Sequence, residues 1–500
     1  MTMQWNRRRW CGAGLGLGAG VAVPWLEAAA ADADGKDAKA EKPEKSEKAD
    51  KAGKDAEKGG RKPRFGTIER PFSAQSPWNS RPVDPVLGDT RIPKDDYYPT
   101  IENGTWSTGV FLCGPDDRPQ RVLGLPGQPG VWDPDAEAHQ PEILIPRWPE
   151  AAVPSKGSDG HLDLVDPQTG IIHSFFMLKR VGDDWRAQQY AWTRLDGRGW
   201  GDPAHYFQGA RAAGVPTMGG LIRKHEFEDG DTMYRHALAI SLTFSALQAR
   251  PNYVFPATSG DNQPERNKGA IPEGALLMLP PDFDVKSLND PKMRKIAETL
   301  KVYGGYVVDR NTGTPFVIYA EIGTPVRLHP MGGWNNQVAA DLDKLRWSLR
   351  PVRSTSGFLD GHGRPVDLQA PLNVLSMRGE WKAERGDARA RFDSWKQAVV
   401  LRDASAGDVV VNEGWRAITS VNWAKPKAGQ DCKLTARTSN ATLRVQIRGE
   451  KGIAFDTGDL VDGKTSSFRW PERFGGARLL VRATGGGEVW AGGDLLAQNE

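Results

Sequence analysis

Gly220-Leu-Ile-Arg-Lys-His-Glu-Phe-Glu-Asp-Gly-Asp-Thr-Met-Tyr-Arg-His-Ala-Leu-Ala-Ile-Ser-Leu242 is the stretch on which the reading of the fold turns. Asp229-Gly230 between two alternating runs predicts a β-hairpin, because that dipeptide suits the tight turns joining antiparallel strands. Residues two apart on a strand share a face. Tyr234 and His236 therefore point the same way, with Leu238 and Ile240 continuing that face inward. The register is open. A two-residue loop sets Arg223 opposite His236 and His225 opposite Tyr234; a three-residue loop with a glycine bulge sets Lys224 opposite Tyr234, with Glu226 on that face.

Either register gathers a base, an acid and a cation, the set that β-elimination of a uronic-acid polymer requires. In that reading His236 takes the proton α to the carboxylate, Tyr234 protonates the leaving oxygen, and the planar fork of Arg223 clamps the carboxylate. Lys224 and His225 are the other titratable groups within reach. Sugar hydrolysis is the alternative chemistry, with Glu226 as one carboxyl and Asp261 from another loop as the second. Glu228 shares the strand face with Glu226, but the acids that follow it resemble a solvated hairpin tip.

Outward from this stretch the chain reads as mainly β. One helix is expected between Phe65 and about Arg350: Asp290 caps it, Pro291 suits its first turn, and Ile296, Leu300 and Tyr303 form its apolar stripe before Gly304. His161–Val165 and Ile171–Leu178 read as a hairpin, as do Gly305–Asp309 and Thr314–Ala320. A jelly-roll or sandwich-like main domain over 65–350 follows, with a smaller β-sandwich over 351–500. In the latter Leu443–Arg448 alternates apolar and charged residues. Glycine and proline are abundant (57 and 36 residues), which favours short elements and turns.

The first 31 residues read as a twin-arginine export signal. Arg7, Arg8 and Arg9 precede a mildly apolar Gly/Ala-rich run and the Ala28–Ala31 cluster. Residues 32–64 are a Lys/Glu/Ala-rich spacer without aromatic or branched aliphatic residues, expected to be disordered. The formal charge of +3 comes from these two segments: the signal carries three Arg and one Glu, the spacer 11 basic and nine acidic residues, so the remainder stands at −1. The basic balance is therefore no evidence for a broad polyanion-binding surface, and export argues against nucleic acid as partner. The expected location is periplasmic or extracellular, without membrane insertion once the signal is removed.

Eighteen tryptophans against nine tyrosines are the stronger clue. Trp185, Trp192 and Trp200, with Arg198 among them, offer flat faces for sugar rings and a cation for carboxylates. All eight histidines lie between His139 and His362, so imidazole chemistry belongs to the main domain. Three cysteines exclude a disulfide scaffold and a four-thiolate zinc site. Asp196–Asp202 lacks the acids of a calcium loop, no metal set is assigned, and the cofactor is left open. No Gly-x-Ser-x-Gly elbow occurs.

Ser76-Pro-Trp-Asn79, Gly160-His-Leu-Asp-Leu-Val-Asp-Pro167, the Ile222–Leu238 stretch, Pro256-Ala-Thr258, Ile271-Pro-Glu-Gly274 and Tyr303-Gly…Asp309 together resemble a group of exported bacterial proteins grouped near carbohydrate-active ones. The resemblance covers about residues 70–320. It implies export and a compact domain and assigns no catalytic residue. The expectation is an exported polysaccharide-degrading enzyme, a lyase ahead of a hydrolase. The alternative is a non-catalytic carbohydrate-binding or envelope-associated protein.

Overall fold

The computed structural model describes residues 64–326, 336–369, 372–412 and 414–497. The export segment and all of the spacer except Arg64 lie outside the described residues. The chain is mainly β, with sandwich-like sheets.

Leu238–Leu242 is an interior strand of a seven-stranded sheet. All five residues are buried, so the strand needs cover on both faces and a neighbour on both edges. Leu238, Ile240 and Leu242 face Ile296 and Leu300 of the helix Pro291–Val302 and Leu342 and Leu345 of the helix Asn336–Ser348. Ala239 faces the other way, toward Trp78, Trp200, Val165 and Ile172. Those last two valine and isoleucine side chains belong to a six-stranded sheet, whose far face packs Leu164, Phe175 and Tyr190 against Val122 and Ile143 of a four-stranded sheet. Helices and three sheets thus form successive layers. The period-two alternation of each strand feeds two separate cores.

The helix Pro291–Val302 is built as expected: the Asp290 carboxylate accepts from the N–H groups of Lys292 and Met293, and Ile296 and Leu300 are fully buried. The hairpin Leu162–Asp166 with Ile171–Phe176 also forms, paired antiparallel. Three expectations are corrected. Gly305–Arg310 and Phe316–Tyr319 do not pair with each other, because Leu238–Leu242 inserts between them, parallel to the first and antiparallel to the second. The helix Asn336–Ser348 lies where strands and turns were expected. The hairpin at Asp229-Gly230 does not form. Lys224–Phe227 is a single helical turn, and no strand begins until Leu238.

Two five-stranded sheets at the C-terminal end, running from Trp381 to Ala497, enclose one core between Val399, Leu434 and Ala491 on one side and Val410, Leu443 and Leu479 on the other. No helix among the described residues is long and apolar enough to cross a membrane.

Candidate functional site

The failed hairpin has a local cause. Lys295, on the helix Pro291–Val302, donates to the Glu226 carbonyl and the Asp229 carboxylate, and Thr299 accepts the Tyr234 N–H at 2.8 Å. Asp229 also accepts from the Asp231 N–H, closing a tight side-chain turn. With its polar groups engaged by the helix, the segment wraps over that helix and leaves no ladder for a partner strand.

Several of the expected residues still converge. The Arg223 guanidinium donates to Glu321 (2.9 Å) and to the Ile68 carbonyl (2.7 Å). Lys224 reaches the same Glu321 carboxylate (3.6 Å) and is exposed at the site's rim. Glu226 accepts from the Arg223 N–H (3.2 Å) and meets His236 Nε2 at 3.3 Å. The other ring nitrogen of His236 faces the Ala237 carbonyl at 2.8 Å. Burial by itself would lower the His236 pKa, yet the Glu226 carboxylate and the Ala237 carbonyl outweigh it and raise it. Glu226 is held below its ordinary value: burial pushes up, and the His236, His225 and Arg223 charges pull further down. The result is an imidazolium–carboxylate pair. Both ring nitrogens are occupied, so no free lone pair remains to act as a base. His225 is exposed and contacts the Glu69 carbonyl at 3.2 Å.

Tyr234 does not join them at a surface. Only 1% of it is exposed; it packs in the core beneath Lys295, whose ammonium lies 4.6 Å from the ring centroid. Burial, then the Glu226 and Asp229 charges, raise its pKa strongly, so it makes a poor proton donor. The expected sugar platform is corrected as well. Trp200 is fully buried, stacked on Trp78 at 5.2 Å, with its indole N–H donating to the Ala213 carbonyl. Trp192 is buried too and stacks on Trp395 of the C-terminal sandwich (4.9 Å, 7° between rings). Trp185 is half-buried against Trp148, and Arg198 donates to the Leu368 carbonyl. The bulk that made these residues conspicuous is used for packing.

A second constellation lies at the other end of the strand Leu238–Leu242. A β-bulge between Ile240 and Ser241 skips Val308 and sets Asp309 beside Ser241. Such bulges re-aim a side chain, and here Asp309 turns onto the face that carries Tyr319 and Arg211. Arg211 is 1% exposed; it donates to Asp309 (3.2 Å) and lies 3.7 Å from the Tyr319 ring centroid. The Arg310 backbone N–H is shared between Asp261 (2.8 Å) and Asp309 (3.1 Å). Glu273, fully buried, accepts the Asp261 N–H at 2.9 Å.

Electrostatics separate this corner from the first. Burial raises the Asp309 pKa to about 7, the Asp261 charge adds to it, and Arg211 only partly opposes it. Asp261 and Glu273 move in the same direction for the same first reason. Asp159 is raised by burial as well. His161, buried nearby, is pushed down to about 3 by burial and then by the Arg211 charge, so it stays neutral. Of this corner, sequence reading singled out only Asp261. The signal for the rest was present: Gly160–Pro167 contains His161, Ile271–Gly274 contains Glu273, and Tyr303…Asp309 ends on the carboxyl itself.

Cys113 and Cys432 are both free and buried, their thiols pushed up to about 12 and about 11 by burial. Among the described residues no group of three or more His, Cys, Asp or Glu is arranged to hold a metal ion.

A groove of about 860 Å³ runs between the seven-stranded sheet's loops and the C-terminal sandwich. Phe255 and Trp423 meet edge to face on its wall (5.0 Å, 80°), and the Trp423 indole N–H donates to the Ala257 carbonyl (2.7 Å). Arg353, Lys425 and Lys427 are exposed along it, against the single acid Asp367.

No family model matches the chain, and no curated protein matches it. Among solved structures it is similar to accessory secretory protein 1,2 and 3 of Streptococcus pneumoniae: 13% identity, 25% of this chain and 96% of that one, TM-score 0.19. The apo form of BiXyn10A CBM1 matches at 10% identity over 26% of this chain and 96% of that one, TM-score 0.19. A xylan-binding domain from CBM 22 matches at 14% identity over 26% and 96%, TM-score 0.16. Carbohydrate-binding modules are thus among its structural neighbours. Each likeness spans about a quarter of the chain and carries no argument about its ligand.

Proposed function

We propose that the protein binds a carbohydrate polymer outside the cytoplasm and holds an acidic strand of it in the groove between the main part and the C-terminal sandwich. The groove itself supports this reading: an aromatic wall of Phe255 and Trp423 suits sugar rings, and Arg353, Lys425 and Lys427 outnumber the one acid. A folded part of net charge −1 has no general attraction for polyanions, so a local excess of cations is informative. Export rests on Arg7–Arg9 and the run that follows them.

The β-elimination chemistry is not carried into this proposal. It needs a free imidazole lone pair and a phenol within reach of substrate. His236 is held as a paired cation, and Tyr234 is in the core. Glu226 is likewise committed to His236 and Arg223, which removes it as a free carboxyl for hydrolysis.

The test is affinity electrophoresis of the secreted protein through gels containing uronic-acid polymers or neutral glucans. Uronic-acid polymers should retard it, and Lys425→Ala with Lys427→Ala should weaken that by about tenfold, the effect of losing two exposed ionic contacts. Trp423→Ala should weaken neutral and acidic polymers alike. Equal mobility in all gels would falsify the proposal.

A further inference from the structure

We propose that the cleft between the loop 154–160 and the strand Lys179–Val181 is a second site for an acidic sugar, separate from the groove at the C-terminal sandwich. That the sugar is a uronic-acid strand rests on the binding reading above; the place and charge of the cleft do not.

The cleft has a volume of about 570 Å³, within the roughly 300 to 1,000 Å³ of ligand pockets, and it shares no residue with the groove. Lys156, Lys179 and Arg180 line it, all three exposed, and no Asp or Glu does. Lys156 and Lys179 meet no carboxylate among the described residues, whereas Lys292, Lys295 and Lys396 each do. Arg180 donates to the Asp183 backbone carbonyl at 3.4 Å and to no carboxylate. The acids close by are engaged elsewhere: Asp184 pairs with Arg186 (2.9 Å), and Asp159 accepts from the Ser158 hydroxyl (3.3 Å). Three cations without an acid stand out on a folded part whose net charge is −1, and they set a local field that favours an anion.

The walls are held independently of any ligand. The Met177 N–H donates to the Asp159 carbonyl (2.6 Å) and the Leu178 N–H to the Gly160 carbonyl (3.2 Å), which ties one wall to the other. The Ser155 N–H donates to the His161 carbonyl, and the His161 N–H to the Ser155 hydroxyl, both at 2.9 Å. A Cβ on Gly160, which has φ +46°, would lie 2.6 Å from the Leu178 carbonyl oxygen, so the close approach of the two walls requires glycine there. Met177 takes φ +53°, a left-handed conformation that a side chain disfavours and that the surrounding structure must hold.

Trp185 supplies apolar surface among these charges. It pairs with Arg180 across the ladder, with the guanidinium carbon 5.6 Å from its ring centroid, and it tilts against the buried Trp148 at 5.0 Å. These contacts fix a half-buried indole in the lining of the cleft. Aromatic surface beside ammonium groups matches a uronic-acid unit on both counts: the ring accepts the C–H side of the sugar, and the cations accept its carboxylate. A neutral sugar would use only the first of these, and a bare anion only the second.

The experiment titrates the full secreted chain calorimetrically with trigalacturonate. Two ligands per protein are expected. Lys156→Glu with Lys179→Glu should reduce the count to one, and Lys425→Glu with Lys427→Glu should do the same from the other site. All four side chains are exposed, and unchanged urea midpoints confirm that the variants fold. One or two ligands that survive the change at 156 and 179 without loss overturn the proposal and leave the groove standing. A single ligand that is lost with that change, and kept with the change at 425 and 427, sustains the cleft and removes the groove. No binding at all overturns both. In the groove variant, displacement of the remaining ligand by an equal concentration of inorganic phosphate or of xylotriose also overturns the proposal, because it would show recognition of charge alone or of the sugar ring alone.

Discussion

Glu226 and Asp309 are both largely buried carboxyls near the two ends of the strand Leu238–Leu242, and they settle in opposite charge states. Glu226 sits among His236, His225 and Arg223 and accepts a backbone N–H, so it stays ionised despite burial. Asp309 sits among Asp261 and Asp159 with one direct side-chain cation, and it keeps its proton to about pH 7. Burial raises both. The sign and number of neighbouring charges decides which way each goes. The first corner is therefore an ion pair and the second a carboxyl pair that holds on to its proton.

Breaking the ion pair should give the largest stability effect. Glu226→Gln leaves the His236 imidazolium, 15% exposed, facing an amide. Removing one partner of a buried pair costs about 3 to 5 kcal/mol, and the residual exposure here brings the expectation to about 2 to 3 kcal/mol in urea unfolding at pH 5.5. The pH window follows from both shifts. His236 is raised, so its contribution is complete below the unfolded value of about 6.5 and is lost as pH rises through the folded one. Glu226 is lowered, so its contribution is present above about 4.3 and is lost as pH falls through its folded value. The deficit should peak between those limits. An equal deficit at pH 9 would mean that shape, and not charge, holds the corner.

The carboxyl pair predicts the reverse sign with a smaller size. The raised pKa of Asp309 means that its contribution is complete below about 3.9 and is lost as pH rises through about 7. Asp309→Asn imitates the neutral state, so its advantage over the wild type should begin near pH 4, grow up to pH 7 and be larger at pH 8 than at pH 5 by about 1 to 2 kcal/mol. Urea midpoints at the two pH values test this. Destabilisation of the same size at both would equate Asp309 with Glu226 and erase the contrast.

How much of this was legible in the sequence depended on distance along the chain. The helix Pro291–Val302 announced itself through Asp290, Pro291 and the Ile296, Leu300 stripe, all local signals. The hairpin of Leu162–Asp166 with Ile171–Phe176 did so as well. Gly305–Arg310 and Phe316–Tyr319 looked like another hairpin for the same local reasons. The strand between them comes from far upstream, and nothing in either segment encodes that. The helix Asn336–Ser348 was missed although Val338, Leu342 and Leu345 keep the i, i+4, i+7 spacing. At the candidate sites, Arg223, Glu226 and His236 lie close together, but through a helical turn and not through the strand geometry expected of them. Asp309 was quoted only as the end of a motif, because its setting depends on Asp261, Arg211 and a bulge that no local pattern marks.

The smallest effect tests the same contrast over two residues. Glu226 and Glu228 were both candidate carboxyls on one strand face, and the helical turn Lys224–Phe227 separates them instead. Glu228 is 67% exposed at its side chain and meets only Lys292, itself 41% exposed, at 3.4 Å. An ion pair in that setting is screened by water and salt and loses side-chain freedom on forming. Glu228→Gln should therefore shift stability by less than about 0.5 kcal/mol, in either direction, at any pH from 5 to 9. Measured beside Glu226→Gln under the same urea conditions, it isolates burial and partner number from residue type. If the two substitutions cost the same, the His236 pair contributes no more than a surface contact, and the occupied lone pair would no longer stand against a catalytic role for that histidine.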